Sequence, residues 1–144
     1  MKRATRSRLA RAAVLVLVAA CAAGGPDAIL YGVDACAFCK MQIAEQRFAA
    51  EVVTKHGKAV KFDSIECLLA YLHAAKANEQ PESVWVSDFR NPGRLLDASQ
   101  ARFIDLGPQR APMGRGWAAV ATARDAAAVG VIDAGAIKRW AELL

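Results

Sequence analysis

Residues 47–75 read RFAAEVVTKHGKAVKFDSIECLLAYLHAA, and this stretch decides the fold. Its first eight residues place Phe48, Ala50 and Val52 on one face of a strand, because side chains alternate along an extended backbone. Residues 55–58 supply a turn and residues 59–62 return as a second short strand, so the pattern predicts a β-hairpin. Apolar residues then recur at helical spacing from 65 to 75, which predicts a helix that packs on the sheet by one face.

The residues around this helix set its limits. Asp63 or Ser64 is expected to cap its start, and Glu66 follows Asp63 at the spacing of a capping box. Pro81 marks the point before which the helix should end. Further along, the pattern predicts strands at 83–89, 102–106 and 117–121, helices at 124–129 and 134–143, a turn at 91–93 and a loop at 112–116. Strands come before and between helices at short range, which predicts a single small α+β domain with mostly antiparallel pairing.

The N-terminus has the layout of a secretory signal. Five basic residues within the first eleven are followed by a run of nine apolar residues at 12–20. Nine residues are too few to span a bilayer, which takes about 20. We therefore assign residues 1–20 to a signal peptide, 21–34 to a lipid anchor and flexible tether, and 35–144 to the folded domain.

Removing the leader also removes the excess of positive charge. The whole chain has 19 Lys and Arg residues against 14 Asp and Glu residues, and five of the basic residues lie in the leader. The remainder has 14 of each sign, which is a formal net charge of zero. The basic character therefore belongs to the export signal, and a nucleic-acid-binding function loses its support.

The signal ends in Val-Ala-Ala-Cys at residues 18–21, which resembles the lipobox of bacterial lipoproteins. In such signals the cysteine sulfur receives a diacylglycerol, so Cys21 is the predicted site of lipidation. Each buried methylene of an acyl chain contributes ~0.8 kcal/mol to membrane binding. We expect a protein anchored to the cell membrane by its lipid and facing the periplasm. The alternative is ordinary cleavage after an Ala-x-Ala site, with Cys21 as a bystander.

Three cysteines remain after Cys21, and an odd number cannot close entirely into internal disulfides. At least one thiol must then be free, bound to metal or paired with another chain. The periplasm is kept oxidising, which makes a free exposed thiol a liability there.

The most informative stretch for chemistry is Cys36-Ala-Phe-Cys39-Lys-Met41. Thiolates and thioethers are soft ligands, and a set rich in them selects Cu(I). Cys39 and Met41 can point to the same side of an extended segment, because side chains two residues apart share a face. Met113 lies between a proline and a glycine, a loop context unlike that of a methionine used to fill a core. The pattern therefore predicts a Cu(I) site of cysteine and methionine sulfur.

Other interpretations of the cysteines stay open from the sequence. Cys36 and Cys39 can form a disulfide, or the redox pair of a thioredoxin-like enzyme, although that motif belongs between a strand and a long helix. A zinc site needs a further pair of ligands, and His56, His73 and Cys67 do not supply one at regular spacing. Cys67 is either a small buried residue of the helix or a third sulfur ligand.

With these residues in hand, the chain resembles the NosL family, the accessory lipoproteins for nitrous oxide reductase maturation. Beyond the lipobox, the resemblance rests on six motifs: CAFCKMQI at 36–43, RFAA at 47–50, KFDSIEC at 61–67, VWVSD at 84–88, LDA at 96–98 and PMGRG at 112–116. Among them, the cysteine-x-methionine and proline-methionine-glycine motifs in this order are the specific ones.

The resemblance implies a Cu(I) chaperone that delivers copper to an apo copper enzyme or its assembly machinery, and not an enzyme acting on a small-molecule substrate. It also implies a fold similar to part of organomercurial lyase, with a duplicated ββαβ unit. Cys39, Met41 and Met113 match the positions expected to hold the metal, Cys36 is an expected helper, and Cys67 is a candidate additional ligand. The alternative functions are a thiol–disulfide oxidoreductase or a lyase-like enzyme that uses the cysteines, and a structural lipoprotein with a Cys36–Cys39 disulfide.

Overall fold

A computed structural model describes residues 25–74, 81–108 and 110–144. The predicted signal peptide at 1–20 and the predicted lipidation site Cys21 lie outside these residues. No helix in the described part is both long and apolar enough to cross a membrane.

The elements in chain order are β1 (Ala50–Val53), β2 (Ala59–Phe62), α1 (Ile65–Ala74), β3 (Ser83–Ser87), β4 (Leu95–Asp97), β5 (Arg102–Asp105), β6 (Trp117–Val120), α2 (Ala123–Ala128) and two 3₁₀ helices (Ala134–Ala136 and Trp140–Glu142).

The hairpin predicted from residues 47–62 is confirmed and forms one end of a four-stranded sheet, with β2 at its edge. β1 pairs antiparallel with β2, with Ala50 opposite Phe62, and on its other edge with β3. β3 pairs in turn with β4, which gives the strand order β2-β1-β3-β4. β5 and β6 form a separate antiparallel pair, connected to β3 by a single parallel bridge between Asp88 and Ala119. The α+β class with antiparallel pairing is therefore confirmed.

Helix α1 packs against the sheet by the face that its apolar spacing predicts. Ile65 and Leu68 are fully buried and join the main hydrophobic cluster with Phe62 and Val86 of the sheet. Burying a side chain of this size contributes roughly 1.5–3 kcal/mol. The helix begins three residues after β2 ends, so Asp63 and Ser64, which connect the two elements, are buried at the edge of the core.

The predicted helix at 134–143 is wrong. Two 3₁₀ helices occupy this segment, and between them Lys138 forms an antiparallel bridge with Phe103 of β5. The N–H groups of both residues donate to each other's carbonyls, at 2.8 and 2.9 Å. The free edge of β5 needs hydrogen-bond partners, and an extended residue supplies them where a helix cannot. β5 thus pairs with the next strand, β6, on one edge and with Lys138, which follows α2, on the other. β1 pairs in the same order, with the next strand, β2, on one edge and with β3, which follows α1, on the other.

Residues 27–34, which we assigned to the flexible tether, pack against the sheet. Ile29 is buried, and the Asp27 N–H donates to the Glu51 carboxylate at 2.8 Å. The Lys61 ammonium pairs with Asp34 at 2.8 Å and also donates to the Ala28 carbonyl. Because β2 is an edge strand, this segment covers an edge that would otherwise be open. Packing therefore begins before residue 35.

Glu51 gives the domain a dependence of stability on pH. This residue is fully buried on β1, and burial raises the pKa of its carboxyl above the ordinary value of 4.5. Because the pKa of Glu51 is higher in the folded than in the unfolded state, its protonation stabilises the fold. This contribution to the free energy of unfolding is complete below pH 4.5 and is lost as the pH rises through the folded-state pKa. Glu51→Gln should therefore match the wild type in urea unfolding at about pH 4 and be the more stable at about pH 8. Glu82→Gln removes an exposed carboxylate and is the control. If both variants gained the same free energy of unfolding at about pH 8, the pH dependence would not belong to Glu51.

The loop before β6 depends on the missing side chain of Gly116. This glycine has φ +94° and lies against the backbone of Gly107, where an added Cβ would stand 2.1 Å from the carbonyl oxygen. Gly57 has φ +74° with open space around it, so it is a matched control.

We expect Gly57→Ala to lower the free energy of unfolding by about 1–2 kcal/mol from backbone strain alone. Gly116→Ala should lower it by about 3 kcal/mol or more, because a steric clash is added. Equal losses in chemical denaturation would show that the contact with Gly107 is relaxed at little cost.

Candidate metal centre

Residues 36–41 form a loop that turns back on itself. The Cys36 N–H donates to the Met41 carbonyl at 2.8 Å, and the Lys40 N–H donates to the Cys36 carbonyl at 3.0 Å. Lys40 adopts φ +67°, in the left-handed region that tight turns require. Below the turn, Ala35 and Gln42 pair as an antiparallel bridge. These bonds hold Cys36 and Cys39 on one short turn.

The same loop is fastened to the edge strand of the sheet. The Ala37 N–H donates to the Lys61 carbonyl at 2.8 Å. Lys61 lies on β2 two residues before Asp63, and α1 begins two residues after Asp63. The bond therefore places the cysteine loop beside the junction of β2 and α1, although Ala37 and Lys61 are 24 residues apart in the chain.

At this junction Ser64 caps the helix, which settles the choice between Asp63 and Ser64. The Ser64 hydroxyl accepts a hydrogen bond from the Cys67 N–H at 3.2 Å. Glu66 takes no part in a capping box, since one of its carboxylate oxygens accepts from the Trp117 N–H at 3.0 Å. Asp63 is left free of the cap and is 2% exposed.

Four side chains converge at this point. The sulfur atoms of Cys36, Cys39 and Cys67 and a carboxylate oxygen of Asp63 all lie within 4.8 Å of one another. All three cysteines are free thiols. Cys36 and Cys67 are each 1% exposed, whereas Cys39 is only partly buried. The cluster is thus closed on the side of the core and opens to the surface at Cys39.

Burial raises the pKa of two thiols in the cluster, those of Cys39 and Cys67. Burial raises the pKa of the Cys39 thiol, and the hydrogen bond from the Met41 N–H opposes that shift. Burial also raises the pKa of Cys67, and so does its hydrogen bond to the Asp63 carboxylate. A metal ion must therefore displace protons from both thiols when it binds.

The two methionines of the predicted site are exposed at the surface. Met41 is 58% exposed on the cysteine loop, and Met113 is 40% exposed on the loop that precedes β6. The hydrogen bond from Trp117 to Glu66 ties the end of that second loop to the residue beside Cys67. Met113 precedes Trp117 by four residues, which limits the distance between them to roughly 14 Å but does not fix the distance of Met113 from the cluster. Its participation in a metal site stays a prediction.

Of the other candidate ligands, Cys67 lies in the cluster and the two histidines do not. Cys67, which the sequence left undecided, lies in the cluster with the Cys36–Cys39 pair. His56 and His73 are exposed, and the ring of His73 lies 3.3 Å from the Leu144 backbone oxygen. Asp63 is the residue that sequence reasoning missed, because its position suggested a cap. Asp63 lies one residue before the cap, outside the helix, so no helical spacing in the sequence points to it.

Comparison with known proteins identifies the family of this chain. The sequence model of the NosL family matches residues 28–144. The crystal structure of the copper chaperone NosL from Shewanella denitrificans is similar, with a TM-score of 0.64 and 25% sequence identity, covering 81% of this chain and 96% of that one. No curated protein matches the chain. Because the family match extends over most of the chain and includes every residue of the cysteine cluster, the chain belongs to the NosL family.

Proposed function

We propose that the chain is a membrane-anchored periplasmic chaperone that binds Cu(I) through cysteine and methionine sulfur. It delivers the ion for the maturation of a copper enzyme such as nitrous oxide reductase. The observation that carries this proposal is the group of three free thiols that opens to the surface at Cys39. Soft sulfur donors favour Cu(I) over the hard cations that carboxylates and water prefer.

The chain is not an enzyme, as the sequence predicted, because it belongs to the NosL family and is similar in structure to a copper chaperone. The alternatives of a thiol–disulfide oxidoreductase and a lyase-like enzyme are therefore set aside. Carriers and enzymes place different demands on a site. A carrier must hold its ion and then release it to an acceptor, with no bond of a substrate made or broken.

The exposure of the sulfur atoms suits transfer by ligand exchange. In the proposed site, Cys39 provides the thiolate and the exposed thioethers of Met41 and Met113 complete a low-coordinate set, with Cys36 behind them. An acceptor can approach from the side of the methionines, because Cys36 is buried while the thioethers face solvent. Each protein ligand can then be exchanged for one of the acceptor in turn. This order of events requires no unfolding of the core.

The fold supports one finer proposal about ancestry. The order of pairing around β5 repeats that around β1, with a single bridge at Lys138 in place of a full third strand. We propose that the two halves are copies of one ββαβ unit, of which the second has lost its last strand. Similarity to organomercurial lyase remains a prediction of the resemblance described above.

Copper affinity should depend on the two methionines. In a competition titration against a Cu(I) chelator under reducing conditions, Met41→Leu and Met113→Leu should each weaken Cu(I) binding by about tenfold, as loss of a supporting group typically does. Leucine keeps the size and apolar character of the side chain but removes the sulfur. Phe38→Leu, at a 43% exposed position on the same loop, changes no ligand and should bind as the wild type does.

Two results would contradict the proposed site. Equal affinity of the wild type and both methionine variants would exclude thioether ligands. A loss of affinity in Phe38→Leu as large as in Met41→Leu would show that the shape of the loop, and not the sulfur, controls binding.

Membrane attachment should depend on Cys21. We expect the wild-type chain, expressed in its own bacterial host, to incorporate labelled palmitate and to sediment with membranes. Cys21→Ser should take up no label and appear in the soluble periplasmic fraction, because the acyl chains that hold the protein are absent. Cys67→Ser, which removes a thiol inside the domain, is the control and should stay in the membrane fraction. Sedimentation of Cys21→Ser with membranes would count against the lipid anchor.

A further inference from the structure

Exposed apolar side chains concentrate near the start of the domain. Four of the seven large exposed apolar side chains among the described residues lie between residues 30 and 41. They are those of Leu30, Val33, Phe38 and Met41, which are 55%, 74%, 43% and 58% exposed. Single apolar residues at a surface need no explanation, whereas a group of them marks a surface that contacts a partner or a membrane.

Backbone pairing joins these residues into one short ribbon. Ala35 and Gln42 form an antiparallel bridge, and hydrogen bonds on both sides of it extend the pairing. The turn at 30–33 lies at one end of this ribbon, and the tip of the cysteine loop lies at the other. Ala35 and Gln42 are both exposed, so the outer side is open to solvent between the two ends. We call residues 30–43 the N-terminal ribbon.

The N-terminal ribbon carries little charge. Between residues 28 and 44 the charged side chains are those of Asp34 and Lys40 alone. The Asp34 carboxylate pairs with the Lys61 ammonium at 2.8 Å, and both side chains are less than one quarter exposed. Lys40 therefore leaves the ribbon with one positive charge and no unpaired carboxylate. Apolar side chains favour the interface of a bilayer, and a basic residue favours its anionic lipids, so this composition fits a membrane surface.

The position of the ribbon in the chain keeps it close to the proposed lipid anchor. The described chain begins at Gly25, four residues after Cys21. Four residues span at most about 14 Å, so Gly25 cannot lie further than that from the lipidated residue. A short tether gives the surface that it carries an effective concentration on the order of millimolar, which populates even a weak contact. The tether favours the bilayer over a protein partner, because the bilayer is always within reach.

We propose that the N-terminal ribbon is a second membrane contact, in which Leu30, Val33 and Phe38 enter the interface of the bilayer that holds the acyl chains. This contact rests on the proposed lipidation of Cys21. It goes beyond that proposal, because an acyl anchor fixes one point of the chain and leaves open which face of the domain is turned to the membrane.

This orientation restricts where copper can be exchanged. Phe38 lies between Cys36 and Cys39 on the cysteine loop, so contact of Phe38 with lipid brings the exposed side of the metal centre to the membrane surface. An acceptor that meets Cys39 there is itself held at the membrane. An acceptor that diffuses freely reaches Cys39 only when the domain tilts away from the lipid.

Brominated lipids test the contact, because bromine quenches the fluorescence of tryptophan at close range. The lipidated protein is placed in vesicles of phosphatidylethanolamine and phosphatidylglycerol, with or without bromine on the acyl chains. Val33→Trp and Phe38→Trp add a reporter to the ribbon, and Ile132→Trp adds one at an 85% exposed position outside it. After subtraction of the wild-type signal, we expect the brominated vesicles to remove the added fluorescence at 33 and 38 and to leave that at 132.

The outcomes separate this contact from the anchor and from a protein partner. Retention of the added fluorescence at both 33 and 38, or an equal loss in Ile132→Trp, would overturn the proposal. Retention in these vesicles with protection of residues 30–43 from hydrogen exchange in native membranes would assign the surface to a protein and overturn the lipid contact. Palmitate labelling of the same wild-type sample reports the anchor. A wild type without lipid would disprove both proposals, whereas a labelled wild type without quenching in the reporters would disprove this one alone.

Discussion

The hydrogen bond from Ala37 to the Lys61 carbonyl, 2.8 Å long, is the constraint on which the candidate centre depends. It joins the cysteine loop to the open edge of β2 just before that strand passes into α1. Lys61 strengthens the attachment from its other end, since its ammonium pairs with Asp34 at 2.8 Å and donates to the Ala28 carbonyl. A single residue of an edge strand therefore protects that edge and positions the loop. Two pairs of donors from distant parts of the chain meet because both are fixed to the same strand.

The cluster is built into the wall of the hydrophobic core. Cys36 and Cys67 belong to the main cluster of buried residues, together with the aromatic and aliphatic side chains that hold α1 on the sheet. A metal bound there adds cross-links between the N-terminal loop, β2 and α1. Binding and folding are then coupled, because the unfolded chain holds these donors far apart. Among the described residues, the buried Oδ1 atom of Asp63 has no hydrogen-bond partner, which is unfavourable for a buried polar atom.

Local patterns were sufficient for the hairpin, α1 and β3, because each has a periodicity that its own residues determine. They were insufficient where a neighbouring edge decides the structure. β4 and the bridge at Lys138 exist because β3 and β5 have edges to pair, and a helical pattern over 134–143 gives no sign of that requirement. The same distinction between local and distant determinants applies to the residues of the candidate site. The cysteine pair is evident from the sequence, whereas the role of Cys67 depends on which side of α1 faces the loop. Asp63 was missed because an aspartate just before a helix is usually a cap, and only the hydrogen bond from the Cys67 N–H to the Ser64 hydroxyl shows that Ser64 performs this task.

The gradient of burial across the cluster determines how an ion can move through it. Cys36, Cys67 and Asp63 are at most 2% exposed, so an acceptor cannot reach them while the domain is folded. Cys39 is the member of the cluster that solvent also contacts, and Met41 follows it on the same turn. In the proposed transfer, Cys39 is therefore the thiol that an acceptor at the surface can reach. We therefore regard Cys39 as the residue that connects the two buried thiols with the surface of the domain.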